Sequence, residues 1–213
     1  MIDAVFYNND LEKIITISKD YKYLIIVEYF EKVKSLEEFD KKVKFEKNVI
    51  SGIILRDLNE IKKISNVKNR RKIDLVFVEG GNLKVNREAV ENVFIDFLIN
   101  PFQNREDAGI DHIFAKKAKK NQVGISINFN NFEIKRAYQV AKLCRKYKVP
   151  LAVFSFAKNF YEFKDYKSME ALLYILGYEE NEIAQNRKLI INIIEENLKK
   201  RSKDWIRPGV ELI

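Results

Sequence analysis

The sequence predicts an α/β protein in which parallel strands alternate with helices, closing into a barrel more readily than spreading into an open sheet. Three observations predict this. Strand-sized apolar runs rich in Ile, Val and Phe recur along the chain as far as residue 156. Segments of helical period lie between most of them. No linker rich in Gly, Ser or Pro and no shift in composition interrupts the series, so residues 1–213 are read as one domain.

The elements follow in order. A strand is expected at "IDAVFY" (2–7) and a helix over 9–19; then "YLIIVE" (23–28) and a helix over 35–44. "ISGIIL" (50–55) leads into 57–65, "IDLVFVE" (73–79) into 86–91, and "VFIDFLI" (93–99) into 110–121. "VGISINF" (123–129) precedes a helix over 132–147, and "PLAVFSF" (150–156) is the seventh strand. These runs are apolar almost throughout, as parallel strands covered on both faces are. An eighth strand has no clear place. Past residue 157 helices are expected over 168–176 and 179–200, broken at Gly177, with Ile183, Ile190, Ile194 and Leu198 on one apolar face. The closing "WIRPGVELI" holds the only tryptophan, Trp205, and is expected to pack back onto the barrel or to dock on a partner.

Composition narrows the class. With 46% hydrophobic and 33% charged residues the chain is globular, not disordered. Lys and Arg number 39 against 31 acids, a net +8 that favours anionic partners, although a well-solvated surface of mixed charge accounts for it as well. A single cysteine, Cys144, excludes an internal disulfide and a cysteine-based zinc site. Its amphipathic setting, "RAYQVAKLCRKY", predicts a packed thiol. No apolar run approaches the ~20 residues of a membrane span, and "MIDAVFYNND" lacks a basic leader. A cytoplasmic protein without a membrane partner is expected.

In a parallel barrel, functional residues gather at the C-terminal ends of strands and in the loops that follow. Those places hold Glu28, Arg56, Asp57, Glu79, Asn100, Arg105, Asn128 and Lys158, with Arg87 in the connection after the fourth strand. One histidine, His112, cannot build a multi-histidine metal centre. Glu28, Asp57 and Glu79 could form a carboxylate site for magnesium, which keeps a stand-alone magnesium-dependent phosphoesterase open as an alternative. Helix caps and surface pairs explain the same acids. There is no Gly-x-Ser-x-Gly elbow, and "EGGN" (79–82) reads as a turn rather than a phosphate loop.

The stretch "NREDAGIDHIFAKKAKKNQVGI" (104–125) is the most informative. Asp107 or Asp111 suits the start of a helix whose buried stripe would be Ile110, Ile113, Phe114 and Ala118. His112, Lys116, Lys119 and Lys120 would share another face, with Arg105 just before it. Such a basic ridge suits phosphate contacts, and a solvated lysine face accounts for the lysines alone. "NVKNRRKID" (66–74) is a second basic cluster, expected on the opposite rim as a solvated loop.

The string "LINPFQNREDAGIDHIFAKKAKKNQVGISINF" resembles the core segment of the archaeal ribonuclease P protein component 3 family, related to a eukaryotic thirty-kilodalton subunit. The likeness is strongest over 96–129, through Pro101, Arg105, Asp107, Gly109, Ile110, Asp111, His112, Ala115 and Ala118. Looser support comes from "GGNLKVNREAVEN" (80–92), where Arg87 matches, and from "IRPGVELI". The resemblance implies a distorted TIM-like (β/α) barrel of about seven to eight parallel strands with extra C-terminal helices. It implies kinship with the polymerase-and-histidinol-phosphatase hydrolases without their metal-binding histidines.

By the same likeness the chain is a subunit of an endoribonuclease that removes the 5′ leader from precursor tRNA. The RNA subunit performs the cleavage with Mg2+, and the chain itself binds no cofactor and is not the catalyst. Its implied partners are the ribonuclease P RNA, component 2 and other protein subunits, with precursor tRNA as substrate of the complex. Arg87, Arg105 and His112 fall on RNA-facing positions. Lys116, Lys119, Lys120, Arg136 and Lys158 join them by charge and placement. His112 is expected to orient a loop or touch RNA, with a buried, hydrogen-bonded histidine as the other reading.

Overall fold

A computed structural model describes residues 1–44 and 46–201, together with the backbone of 205–207 and 210–211. Seven strands pair in sequence order, every neighbouring pair parallel: β1 (Ile2–Phe6), β2 (Tyr23–Tyr29), β3 (Val49–Leu55), β4 (Leu75–Glu79), β5 (Phe97–Ile99), β6 (Gly124–Asn128) and β7 (Leu151–Phe154). The connections carry α1 (Leu11–Ile17), α2 (Leu36–Val43), α3 (Leu58–Ile64), α4 (Val67–Arg70), α5 (Leu83–Glu91), α6 (His112–Lys120) and α7 (Ile134–Tyr147). α8 (Tyr166–Ile175) and α9 (Glu180–Lys200) follow the last barrel strand. A short antiparallel pair, β8 (Trp205–Arg207) with β9 (Val210–Glu211), ends the chain. The expected packing of the Trp205 tail lies outside the described residues.

The architecture is the distorted (β/α) barrel expected, with seven strands in its sheet and no eighth barrel strand among the described residues. β1 and β7 meet only near their C-terminal ends. The Phe6 amide donates to the Ala157 carbonyl at 2.9 Å, and the Phe156 amide to the Ala4 carbonyl at 2.7 Å. Between them Asp3, fully buried, accepts from the Ser155 amide and hydroxyl, both at 2.6 Å. A carboxylate thus completes a seam that strand pairing leaves short.

Side chains of alternate strand residues fill the interior. Phe77, Phe97, Phe154 and Phe156 form one aromatic cluster, with Phe77 and Phe97 stacked at 5.4 Å and the others edge to face. Two inward-facing positions are glycine because these rings occupy the space. A Cβ on Gly52 would lie 3.0 Å from the Phe77 ring, and one on Gly124 2.5 Å from the Phe97 ring. At the N-terminal end α9 seals the barrel, its Ile190, Ile193 and Ile194 joining the same apolar cluster. The Asn186 side chain accepts from the Leu151 amide at 2.8 Å and donates to the Leu151 carbonyl at 2.6 Å, taking the place of a neighbouring strand. Arg201, just past α9, grips both oxygens of Asp40 at 2.7 Å and also reaches the buried Asp74.

Three local expectations need correction. The fifth strand is 97–99 rather than 93–99, because Asn92 accepts from the Phe94 amide at 3.0 Å and folds the preceding residues into a turn. The helix expected over 86–91 starts at Leu83, since Asn82 caps it through the amides of Lys84 and Val85. The cluster at 66–74 is not wholly a solvated loop. It contains α4, and Arg70 is buried, donating to the carbonyls of Ile73 and Asp74 and to Asp96 at 2.7 Å.

Asp3 gives the seam a pH signature. Burial raises its pKa from 3.8 to about 7, against the donors of Ser155 and Ala4. A carboxyl raised in the folded state contributes stability that is complete below its unfolded pKa and lost as pH climbs through the folded value. Asp3→Asn should therefore flatten the denaturation profile between pH 4 and 8. The wild type should lose on the order of a few kcal/mol relative to the variant over that range. Parallel profiles in urea titrations would show that Asp3 is ionised throughout.

Candidate nucleic-acid interface

The β4–α5 and β5–α6 loops lie side by side on the C-terminal rim, held by one buried amide. Asn86 stands on α5 among the apolar residues Val85, Ala89 and Val90, with no exposed surface. Its Oδ1 accepts from the Gly81 amide at 3.0 Å. Its Nδ2 donates to the carbonyls of Pro101 and Gly109, both at 2.8 Å. The Gly80 amide adds a bond to the Ile99 carbonyl at 2.7 Å. The β5–α6 loop folds so tightly on itself that Gly109, at φ 67°, has no room for a side chain: an added Cβ would sit 1.8 Å from the Pro101 carbonyl oxygen, while between the loops a Cβ on Gly81 would sit 2.4 Å from the Gln103 carbonyl oxygen. Asn100 and Asn104 take the other left-handed positions of the loop, which Asn tolerates better than most residues.

Arg105 stands on this platform. Its Nε and Nη2 donate to the two oxygens of Asp107, both at 2.7 Å, and Nη1 reaches the Gly81 carbonyl at 3.4 Å. Asp107 also accepts from the Gly109 amide at 2.9 Å. The guanidinium fork, and then that amide, hold the Asp107 carboxyl down at about 2. Arg105 therefore locks its own loop, each of its three guanidinium nitrogens holding a partner and its side chain 21% exposed.

α6 begins where the loop ends. Asp111 caps it by accepting from the amides of Ile113 and Phe114 at 2.8 and 2.9 Å, so Asp111 is the helix-start aspartate and Asp107 the loop staple. Ala115 and Ala118 are buried, whereas Ile113 is 50% exposed. The expected stripe is thus corrected: Ala115, not Ile113, faces the barrel. Against this helix Arg87 of α5 donates to Glu91 at 2.9 Å, and Lys117 also bridges to Glu91. Lys117 and then Arg87 hold the Glu91 carboxyl below its ordinary value. These charges edge a groove of about 250 Å³ floored by Ile113 and Phe114.

The expected site residues divide. Arg87 is on α5, Arg105 is in the loop before α6 and His112 opens α6, and of the three only Arg87 lines the groove with Asp111 and Lys117. His112 is exposed and makes no hydrogen bond among the described residues, so the buried-histidine reading is set aside. Lys116 lies one turn along α6, its ammonium 5.9 Å from the Tyr147 ring. Lys119 and Lys120 occupy the last turn, at the far end of the helix, where cations also suit the helix dipole. Arg136 is on the first turn of α7, paired with Glu133 at 3.4 Å. Lys158 lies at the barrel mouth, above the Phe6 ring.

Asn86 and Lys117 escaped the sequence reading. A polar residue on the apolar stripe of α5 was the available signal for Asn86. Lys117 became visible only when α6 packed beside α5. The three acids considered for magnesium are separated by role. Glu28 accepts from the Tyr29 amide, Asp57 caps α3, and Glu79 faces the barrel mouth. Among the described residues no three His, Cys, Asp or Glu side chains group as a metal site. No described helix is long and apolar enough to cross a membrane.

Arg105→Lys tests the staple, because an ammonium cannot reproduce the fork. Amide exchange at Gly109 should rise several-fold, while global stability changes by less than about 1 kcal/mol, as expected for a solvent-facing pair. Unchanged exchange at Gly109 would show that Asn86 alone orders the loop.

Comparison with known proteins places the chain. The sequence profile of the family described as RNase P subunit p30 matches residues 7–202. The ribonuclease P protein component 3 of Methanococcus maripaludis is 30% identical over 198 residues, covering 86% of this chain and 82% of its own. That of Methanocaldococcus jannaschii is 32% identical over 155 residues, covering 68% of this chain and 65% of its own. A chain in the cryo-EM structure of archaeal ribonuclease P with mature tRNA superposes with a TM-score of 0.81 at 28% identity, covering 100% of this chain and 98% of that one. The loop-and-helix platform therefore sits on a barrel that matches over its whole length, and the chain belongs to the RNase P subunit p30 family.

Proposed function

We propose that the chain is a protein subunit of ribonuclease P, acting with the catalytic RNA and a second protein subunit, component 2, in removing the 5′ leader from precursor tRNA. The observation that carries this reading is the full-length superposition on a chain of an archaeal ribonuclease P that holds tRNA. The chain's part is binding: cleavage belongs to the RNA subunit and its Mg2+, and no cofactor is held by the barrel. Arg87, Arg105 and His112 form the centre of the RNA-facing surface, with Lys116 and Lys117 beside them. Lys119, Lys120, Arg136 and Lys158 lie further out and serve as general electrostatic contacts. Phosphate recognition fits this set, since exposed Arg and Lys neutralise phosphates and release counterions whatever the base sequence.

Leader cleavage at limiting magnesium tests the proposal. Reactions should combine the cognate RNA with or without component 2, each with and without this chain, plus the chain alone. Activation that requires the chain, with no cleavage by the chain alone, is the expected result. Replacing Arg87 and Arg105 together by alanine should lower activation at least tenfold and reduce the salt dependence of RNA binding by about two phosphate contacts. Cleavage by the isolated chain, or full activation by the double variant, would overturn the assignment.

A further inference from the structure

The C-terminal mouth of the barrel is a built cavity that the basic flank does not use. Its volume is about 280 Å³, just under the roughly 300–1,000 Å³ of small-molecule sites. The last inward-facing residue of each strand line contributes to its wall. Phe6, Tyr29, Ile54, Ile99 and Phe156 supply apolar and aromatic surface. Glu79 and Asn128, on β4 and β6, supply the polar part, and Lys158 enters from the loop after β7.

Most polar groups around this mouth are already engaged. Asn130 donates to the carbonyls of Ser155 and Glu162, and Glu162 accepts from the Lys158 amide and the Asn159 side chain. Glu79 differs. It follows Leu75 and Phe77 on the inward row of β4, yet its carboxylate has no hydrogen bond among the described residues. Burial raises its pKa, against the pull of Arg56 and Lys158. The Tyr29 hydroxyl, the Asn128 amide nitrogen and the Lys158 ammonium likewise have no hydrogen-bond acceptor there, although Lys158 lies 5.7 Å from the Phe6 ring. The mouth therefore offers a half-buried acceptor with two oxygens, donors beside it, and a wall that includes Phe6, Tyr29 and Phe156, with the Arg56 guanidinium 4.9 Å from the Tyr29 ring.

From this arrangement we propose that the barrel mouth binds a guanine base, with Glu79 accepting from its N1–H and N2–H and Lys158 and Asn128 donating to its O6. Two adjacent N–H groups match the two oxygens of one carboxylate, the bidentate geometry that gives such pairs their strength. Burying the planar ring against aromatic side chains, with its pairing edge read by polar groups, is the usual manner of recognising an unstacked base. Adenine fails because it turns an acceptor, N1, towards the carboxylate. A simple cation fits poorly because Lys158 and Arg56 already stand near Glu79. The site shares only Lys158, which lines the cavity, with the outer electrostatic contacts proposed above, and is otherwise independent of the RNA-facing flank.

Ligand-observed NMR on the full chain tests this with guanosine, inosine and adenosine. A short single-stranded RNA containing one unpaired guanine is compared with its adenine counterpart. Guanosine should bind at least tenfold more tightly than adenosine, with inosine, which lacks the N2 amine, in between. Glu79→Gln keeps the shape of the side chain and should weaken guanosine at least tenfold. If only the guanine-containing RNA binds, and Glu79→Gln abolishes its advantage over the adenine RNA, the base is drawn from RNA rather than from free nucleoside. Equal affinities for the guanine and adenine ligands, unaltered binding by Glu79→Gln, or no binding of either guanine ligand would each overturn the proposal, and none of them would alter the leader-cleavage result.

Discussion

The flank proposed to face RNA depends on one buried amide. Asn86 has no exposed surface, and its three hydrogen bonds run to both loops beyond the point where the pairing of β4 with β5 ends. A buried amide without partners costs about 1–3 kcal/mol per group, so the loops and the side chain hold one another in a single arrangement. Everything outward of it follows from that geometry. The β5–α6 loop folding back on Pro101 forces glycine at 109, the approach of Gln103 forces glycine at 81, and Asp111 follows at the start of α6. Arg105 then spends two of its donors on Asp107. Arg105 is thereby held on an ordered support, which suits the RNA-facing role proposed for this flank.

The barrel supplies the frame for that support and divides its two ends. At the N-terminal end α9 plugs the interior with isoleucines, and Arg201 ties its end to Asp40 and Asp74. At the C-terminal end the interior stays open and polar around Glu79. With seven strands the seam between β1 and β7 is short, and Asp3 with Ser155 and Asn186 with Leu151 take over bonds that an eighth strand would make. Stability is concentrated at one pole and along the seam, leaving the other pole free for recognition.

Much of the frame was legible in the sequence. All seven barrel strands formed where continuous Ile, Val and Phe runs stood, because parallel strands buried on both faces leave little ambiguity of period. The sequence left an eighth strand without a clear place, and the barrel sheet holds seven among the described residues. Boundaries failed where a side chain outweighed the pattern, as Asn92 did in turning 93–96 away from the strand. The site was legible in part. Arg87, Arg105 and His112 were named, and they stand on α5, in the loop before α6 and at the start of α6, but what orders those loops is Asn86, whose partners are 5 to 23 residues away in the chain. Charge alone could not separate Lys117, which faces α5, from Lys119 and Lys120 at the far end of α6. The buried Arg70 shows the converse, a basic cluster whose centre is structural.

Asn86→Ala tests the central claim most directly, with RNA-dependent leader cleavage measured beside the cooperative melting of the barrel. The account predicts that the variant still melts as one unit, at a lower temperature, while its activation falls as far as that of a variant lacking Arg87 and Arg105. Full activation by a folded variant whose Gly81 and Gly109 amides exchange freely would contradict it, and would show that the cations need no ordered platform.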